Sequence, residues 1–206
     1  MSTVVITMKI LLIGASGTIG RAVAAELGAR HDLITAGRKT GDVRIDLADK
    51  ASIAAALARL APLDAVVSTA GNVAWGPLLE LTDSDWMVGV SDKLLGQINV
   101  ARVAAGHLRD GGSITLTTGI LAEEPIRTGV QATTFNAAID AFVRAAALEM
   151  PRGIRINAVS PGVLVESMPT HAPRFRGFVP VPGERAALGY SRSVEGADTG
   201  KVYAIR

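Results

Sequence analysis

The 206-residue sequence contains no cysteine. That absence excludes a disulfide framework, a thiolate nucleophile and any cysteine-ligated metal, and it fits a reducing cytoplasm. Imidazoles are scarce as well. His31, His107 and His171 lie far apart in the chain with no carboxylate at ligand spacing, so no metal site is expected. Charge of one sign is lacking: 21 Lys and Arg stand against 19 Asp and Glu, a formal net charge of +2. With the two signs interleaved there is no basic stripe to neutralise a nucleic-acid backbone, and nucleic acid is not expected as a partner. Apolar residues make up 49% of the chain but fall in short runs. None approaches the roughly 20 residues of a membrane span, so no membrane partner is expected either. Aromatic residues are only 4%, and the two tyrosines, Tyr190 and Tyr203, both sit near the C-terminus.

What is present is rhythm. The length suits one domain, 1–206, with a large core. The opening MSTVVITMKILLIG has neither a basic leader nor a small-residue cleavage site and runs straight into a glycine turn, so it reads as a buried first strand. Met8-Lys9 would itself make a natural start, which makes 1–7 an expected N-terminal extension. Strand-like runs follow at 10–13, 32–36, 43–46, 64–69, 113–117, 154–159 and 202–205. Between them lie helical stretches at 18–29, 52–60 with Ser52 as cap, 83–108 and 134–150. Alternation of this kind predicts a Rossmann-type, doubly wound α/β domain: a mostly parallel seven-stranded sheet with helices on both faces. The segment 164–183, rich in Pro, His and Arg, breaks the pattern and reads as a flap or small lobe near a cleft.

The first strand ends in GASGTIG, Gly14 to Gly20. In that context Gly14 permits the tight turn, Gly17 lets backbone approach a pyrophosphate, and Gly20 lets helix and strand pack closely. The amides of Thr18 and Ile19 open the helix toward negative charge, and the Ser16 and Thr18 hydroxyls add donors. At the end of the second strand, where an NAD site presents a carboxylate to the ribose, the chain reads Ala36-Gly37-Arg38-Lys39. Two cations and Thr40 suit a 2′-phosphate, so NADP(H) is expected ahead of NAD(H), solvated surface charge being the alternative.

On these residues the chain resembles the short-chain dehydrogenase/reductase family, compact branch, from Lys9 to the C-terminus. The further markers are Asp46-Leu47, Ser68-Thr69-Ala70-Gly71 and Asn157-Ala158-Val159-Ser160-Pro161-Gly162. The resemblance implies that Asp46 and Leu47 contact the adenine, Ala70 and Gly71 the adenosine ribose region, and Pro161, Gly162 and Val163 the nicotinamide end. The glycine spacing, three and three, looks like the extended branch, whose substrate domain this chain is too short to hold.

The family works with an Asn, a Ser, a Tyr and a Lys, and here the chain departs from it. Alignment on the central helix puts Ala132 at the Tyr position and Asn136 at the Lys position. Counting along the chain puts Gly119 where the Ser belongs and Lys93 where the Asn belongs. No shift of register supplies the Tyr, because both tyrosines lie too far downstream. The chain is therefore similar to a small bacterial subgroup that keeps the nucleotide motif without the tetrad.

Thr117 and Thr118 flank the vacant Ser position and are candidates to offer a hydroxyl, with strand-end packing as the plainer reading. Asn136 is the substitution most expected to touch cofactor, at the nicotinamide ribose. Glu123 and Glu124 are expected to border the cleft, as an acid or as a solvated loop. Lys93 is a candidate to bridge into the site, with a helix surface that carries it into water as the plainer reading, and His107 reads as a surface or packing residue. Alanines at 137, 138, 141, 145 and 146 with Phe142 would let a second helix approach, which with the resemblance implies a homodimer or homotetramer. Two functions remain open: an NADP(H)-dependent oxidoreductase of a small carbonyl or alcohol with a rearranged active site, and a catalytically inactive nucleotide-binding protein acting as redox sensor or scaffold.

Overall fold

The run KILLI carries apolar residues on both of its faces, as a strand covered on both sides requires. It forms β1 (Lys9–Ile13), in which Ile10, Leu11, Leu12 and Ile13 are all buried. The computed structural model describes residues 6–206, so the first five residues of the expected extension lie outside the described residues. β2 (Asp32–Gly37) and β3 (Val43–Arg44) extend the sheet on one side of β1. On the other side stand β4 (Leu63–Ser68), β5 (Leu108–Thr117), β6 (Arg155–Pro161) and β7 (Val202–Ile205). The order is β3-β2-β1-β4-β5-β6-β7, and every neighbouring pair is parallel rather than most of them.

Parallel neighbours need crossover connections, and helices supply them on both faces. Leu11 and Ile13 point to one face, where α2 (Lys50–Leu60), α4 (Gly96–Ala104) and α5 (Val130–Ala146) bury Ile53, Leu57, Val100, Ile139 and Val143. Ile10 and Leu12 point to the other, where α1 (Thr18–Gly28) and α7 (Gly183–Glu195) contribute Val23, Leu27, Ala187 and Tyr190. A short α3 (Asp83–Val88) precedes α4, and α6 (Met168–His171) lies within the segment after β6. Sheet order reverses between β1 and β4, so their C-terminal ends open the crevice in which such sheets bind ligands.

Several boundaries differ from the sequence reading. Asp49, not Ser52, caps α2, its carboxylate accepting from the Ala51 amide at 2.9 Å. The Ser52 hydroxyl instead accepts from the Asp46 amide at 3.1 Å. β5 begins at Leu108 rather than Ser113, its pairing with β4 shifting register where Gly111 takes φ +73°. α5 starts four residues before Thr134 and stops at Ala146, ahead of Pro151, whose ring disfavours helix in the residue before it. The stretch 83–108 is not one helix. Between α3 and α4 it widens into a π-helical segment, Gly89–Leu95, clamped at each end by a glycine. A Cβ on Gly89 would lie 2.1 Å from the Phe135 ring and one on Gly96 2.8 Å from Leu47 Cβ, so the widened turn is pressed against α5 and the loop after β3.

Candidate functional site

Three contacts set the glycine turn. Gly14 takes φ +90° and donates its amide to Ala36 O at 2.7 Å, while the Thr69 hydroxyl from the end of β4 reaches Ile13 O and Gly14 O at 3.0 and 3.1 Å. A Cβ on Gly20 would lie 2.0 Å from Gly14 O, so helix and turn touch there through backbone. A Cβ on Gly17 would meet only Gly14 O at 3.4 Å, leaving that face open. α1 begins at this open face with no side-chain cap and no acidic residue in its first turn. Its first amides are thus unoccupied donors at the positive end of the helix.

Two cavities meet over this turn. One, about 440 Å³, is lined by Gly14, Ser16, Gly17, Arg38, Lys39, Thr40, Asp46, Leu47, Ala70 and Gly71. Every residue assigned to the adenosine end is among them. Arg38, Lys39 and Thr40 are exposed there, and the Thr40 hydroxyl donates to Ser16 Oγ at 3.1 Å. Asp46 is half-buried and Leu47 buried, with the Asp46 carboxylate accepting from the Ala48 amide at 3.0 Å. The second cavity, about 490 Å³, is lined by Thr18, Ile19, Gly71, Lys93, Thr118, Gly119, Ala132, Asn136, Pro161, Gly162 and Val163. Trp75, Ile120, Leu121, His171 and Phe175 give it an apolar, aromatic wall. Part of that wall comes from the segment 164–183, where Phe175 packs with Val163, Ile120, Leu121 and Ala132 in a small core of its own. The Glu166 carboxylate in that segment accepts from the first amide of α7, Gly183 N, at 2.9 Å.

The floor of the second cavity is polar. Lys93 is 8% exposed and lines the cavity, against the plainer reading of a solvated helix surface, because the π segment turns it inward. Its Nζ donates to Thr117 O at 2.7 Å. Burial pulls the ammonium down from the usual lysine range to about 8, opposed by the charges of Asp140 and Asp92. Burial likewise pushes the Asp140 carboxyl up, with Thr118 opposing the rise. Asn136 Oδ1 and Asp140 Oδ1 are buried with no hydrogen-bond partner among the described residues. Asp140 and the π segment were invisible to sequence reasoning; the only available signal was an acid four residues beyond Asn136, one helical turn along the same face.

Other candidates fall away from the cleft. Thr117 faces the interior: its hydroxyl donates to Ser68 O at 2.6 Å, and so accepts from the Tyr190 hydroxyl at 2.7 Å. Tyr190, on the inner face of α7, is fully buried, and burial pushes its hydroxyl up. Tyr203 donates to Asp198, and neither tyrosine lines either cavity. Glu123 is exposed and pairs with Arg206 at 3.2 Å, and Glu124 is exposed, so neither borders the cavity. His107 Nδ1 stays on its own helix end, 2.9 Å from Val103 O.

Fold, switch-point crevice and glycine turn together define a dinucleotide-binding α/β protein of the oxidoreductase type. A family model described as enoyl-(acyl carrier protein) reductase matches residues 13–205. Versicolorin reductase 1 of Dothistroma septosporum is 30% identical over 198 residues, covering 84% of this chain and 74% of the relative. That of Aspergillus parasiticus is 31% identical over 183 residues, covering 77% and 70%. The crystal structure of the protein lin1944 from Listeria innocua superposes with a TM-score of 0.96 at 48% identity, covering 97% of this chain and all, 100%, of that one. A small-chain dehydrogenase solved in complex with NADPH, 24% identical with a TM-score of 0.84 and 97% coverage of both chains, shares the fold. The chain belongs to the short-chain dehydrogenase/reductase family, whose members are oxidoreductases that bind NAD(P).

Proposed function

We propose that the protein binds NADP(H) in preference to NAD(H) and acts in the cytoplasm as an oxidoreductase of a small carbonyl or alcohol, with an active site that lacks the family's Asn/Ser/Tyr/Lys set. The observation that carries the reading is the pair of cavities joined at Gly71 and the start of α1, one ending in exposed Arg38 and Lys39, the other in the buried floor of Lys93 and Asn136.

The residues fit the dinucleotide. The uncapped amides of α1 and the open face at Gly17 suit a diphosphate. Arg38, Lys39 and Thr40 suit a 2′-phosphate, because a guanidinium grips phosphate through two parallel hydrogen bonds. The orphaned Asn136 Oδ1 offers an acceptor to a ribose hydroxyl, and Pro161 to Val163 form the wall on which a nicotinamide would rest. When bound in reduced form, the dinucleotide supplies hydride. The chain's own residues hold its phosphates, orient the ring against the sheet ends and exclude water with the Trp75 and Phe175 wall. Lys93 holds a proton at Nζ beside the same cavity.

Ala132 at the Tyr position favours a second reading, in which the protein binds the dinucleotide without turnover and acts as a redox sensor or scaffold. Its 48% identity to the Listeria innocua protein supports placing both in one subgroup of the family. Steady oxidation of NADPH across a panel of ketones, aldehydes and quinones would establish the oxidoreductase. Tight binding of NADPH with no turnover across the panel would retire conventional reductase activity and favour the sensor or scaffold. We further infer a homo-oligomer through α5, whose Ala137, Ala141 and Ala145 form an exposed stripe of small side chains.

A further inference from the structure

A buried ammonium is costly unless it is held or used. Lys93 is held by one bond, to Thr117 O at 2.7 Å, and its other N–H bonds find no acceptor among the described residues. Its route into the site is built. The π segment turns the side chain inward, and π-helical turns recur where a helix has been re-aimed for function. The stem then passes Gly71, at φ +134°, where a Cβ would stand 2.8 Å from Lys93 Cδ, so the lysine threads a gap that a glycine leaves open. The cavity that Lys93 lines is also lined by Asn136, whose Oδ1 has no partner among the described residues, and by Trp75, Leu121 and Phe175.

A carbonyl oxygen gains negative charge as its carbon accepts hydride, and a fixed cation in a water-poor site stabilises that charge far better than solvent does. We propose that Lys93 is the oxyanion-binding group of this site, its free N–H bonds at the cavity floor gripping the carbonyl oxygen of a compound whose apolar or ring body rests on Trp75 and Phe175. The inference rests on the reading of the neighbouring cavity as a dinucleotide site. Charges near Lys93 act on it: Asp140 on α5 and Asp92 on its own segment, whose carboxylate accepts from Asn72, favour the cation, and His171 on α6 stands in the wall of the same cavity.

A phenolate imitates the developing oxyanion, and 4-nitrophenol reports its own ionisation by absorbance. Full-length protein saturated with NADP+ is expected to capture this probe as phenolate near neutral pH. Capture is expected to weaken above about pH 8, as Lys93 gives up its proton. Lys93→Met, which swaps the cation for an apolar side chain of similar length, is expected to weaken phenolate capture by at least about tenfold, the worth of a charge-assisted hydrogen bond. It is also expected to abolish the alkaline fall. Asp140→Asn removes a charge that supports the cation and moves the fall to lower pH. Should Lys93→Met not fold, Lys93→Arg retains a cation and is expected to keep capture while losing the alkaline fall. Equal capture by wild type and Lys93→Met, or no capture by wild type, overturns the proposal. Titration of the same samples with NADPH separates the two claims: a wild type that takes up no NADPH overturns the dinucleotide reading. One that takes up NADPH but handles the probe like Lys93→Met overturns the role of Lys93 alone.

Discussion

Gly17 and Gly20 stand three residues apart in one turn and do different work. Gly20 is a packing glycine: with Gly14 O 2.0 Å from where its Cβ would stand, Gly20→Ala must move backbone. It is expected to cost about 1–3 kcal/mol of stability, read by chemical denaturation. Gly17 has room and an ordinary φ of −71°, so Gly17→Ala is expected to keep its melting temperature and lose NADPH affinity, because the methyl group stands in the open face. Arg38→Ala is expected to weaken NADPH by roughly tenfold and NADH little, in parallel calorimetric titrations. An equal loss for both would remove Arg38 from the 2′-phosphate. Lys93 gives a pH signature of its own. Its folded value, about 8, lies below the unfolded 10.5, so across that window the unfolded chain keeps a proton the folded chain has lost, and stability rises with pH. Relative to Lys93→Met, wild type is expected to gain at most about 3 kcal/mol between those limits.

At the scale of elements, the end of β5 is braced from behind the site. Gln97 on α4 accepts from Thr117 N at 2.8 Å and donates to Thr117 O at 2.9 Å, while Tyr190 on α7 donates to the Thr117 hydroxyl at 2.7 Å. Tyr190→Phe removes one buried bond and is expected to cost about 1 kcal/mol of stability with NADPH affinity unchanged, read by thermal melts and calorimetry. Loss of affinity instead would tie Tyr190 to the site. These elements show what sequence could disclose. The strands were legible because Ile10 to Ile13 and Ala65 to Val67 are unbroken apolar runs, and the turn because its glycines fall between a strand and a helix. The π segment was not. Its register gain comes from Gly89 meeting Phe135 and Gly96 meeting Leu47, contacts between parts of the chain far apart in sequence. Lys93 therefore reads as a surface lysine by periodicity and sits inside by packing. Thr117 reads as a strand-end hydroxyl beside a cleft, yet its face was decided by a partner, Tyr190, many residues downstream.

Across the molecule, the sheet gathers both cavities at the C-terminal ends of its strands, and α1, which opens onto them, is tied at its far end to α7. Arg30 bridges Glu26 and Glu195 at 2.9 and 2.8 Å, and the Ser191 hydroxyl donates to Glu26 at 2.9 Å. The Arg30 guanidinium, then Ser191, hold the Glu26 carboxyl below the ordinary value of 4.5. A lowered folded value contributes stability that is complete above 4.5 and is lost as pH falls through the folded value. At this partly exposed site the contribution is at most about 1 kcal/mol. Glu26→Gln is expected to be less stable than wild type at neutral pH, with the gap closing in acid. The whole arrangement has its reason in the crevice at the C-terminal ends of β1 and β4, where the sheet order reverses. The most direct measurement is calorimetric titration of the purified protein with NADPH and NADH: saturable uptake of NADPH is expected, tighter than NADH and abolished or strongly weakened by Gly17→Ala. No uptake of either nucleotide, or uptake that Gly17→Ala leaves intact, would contradict it.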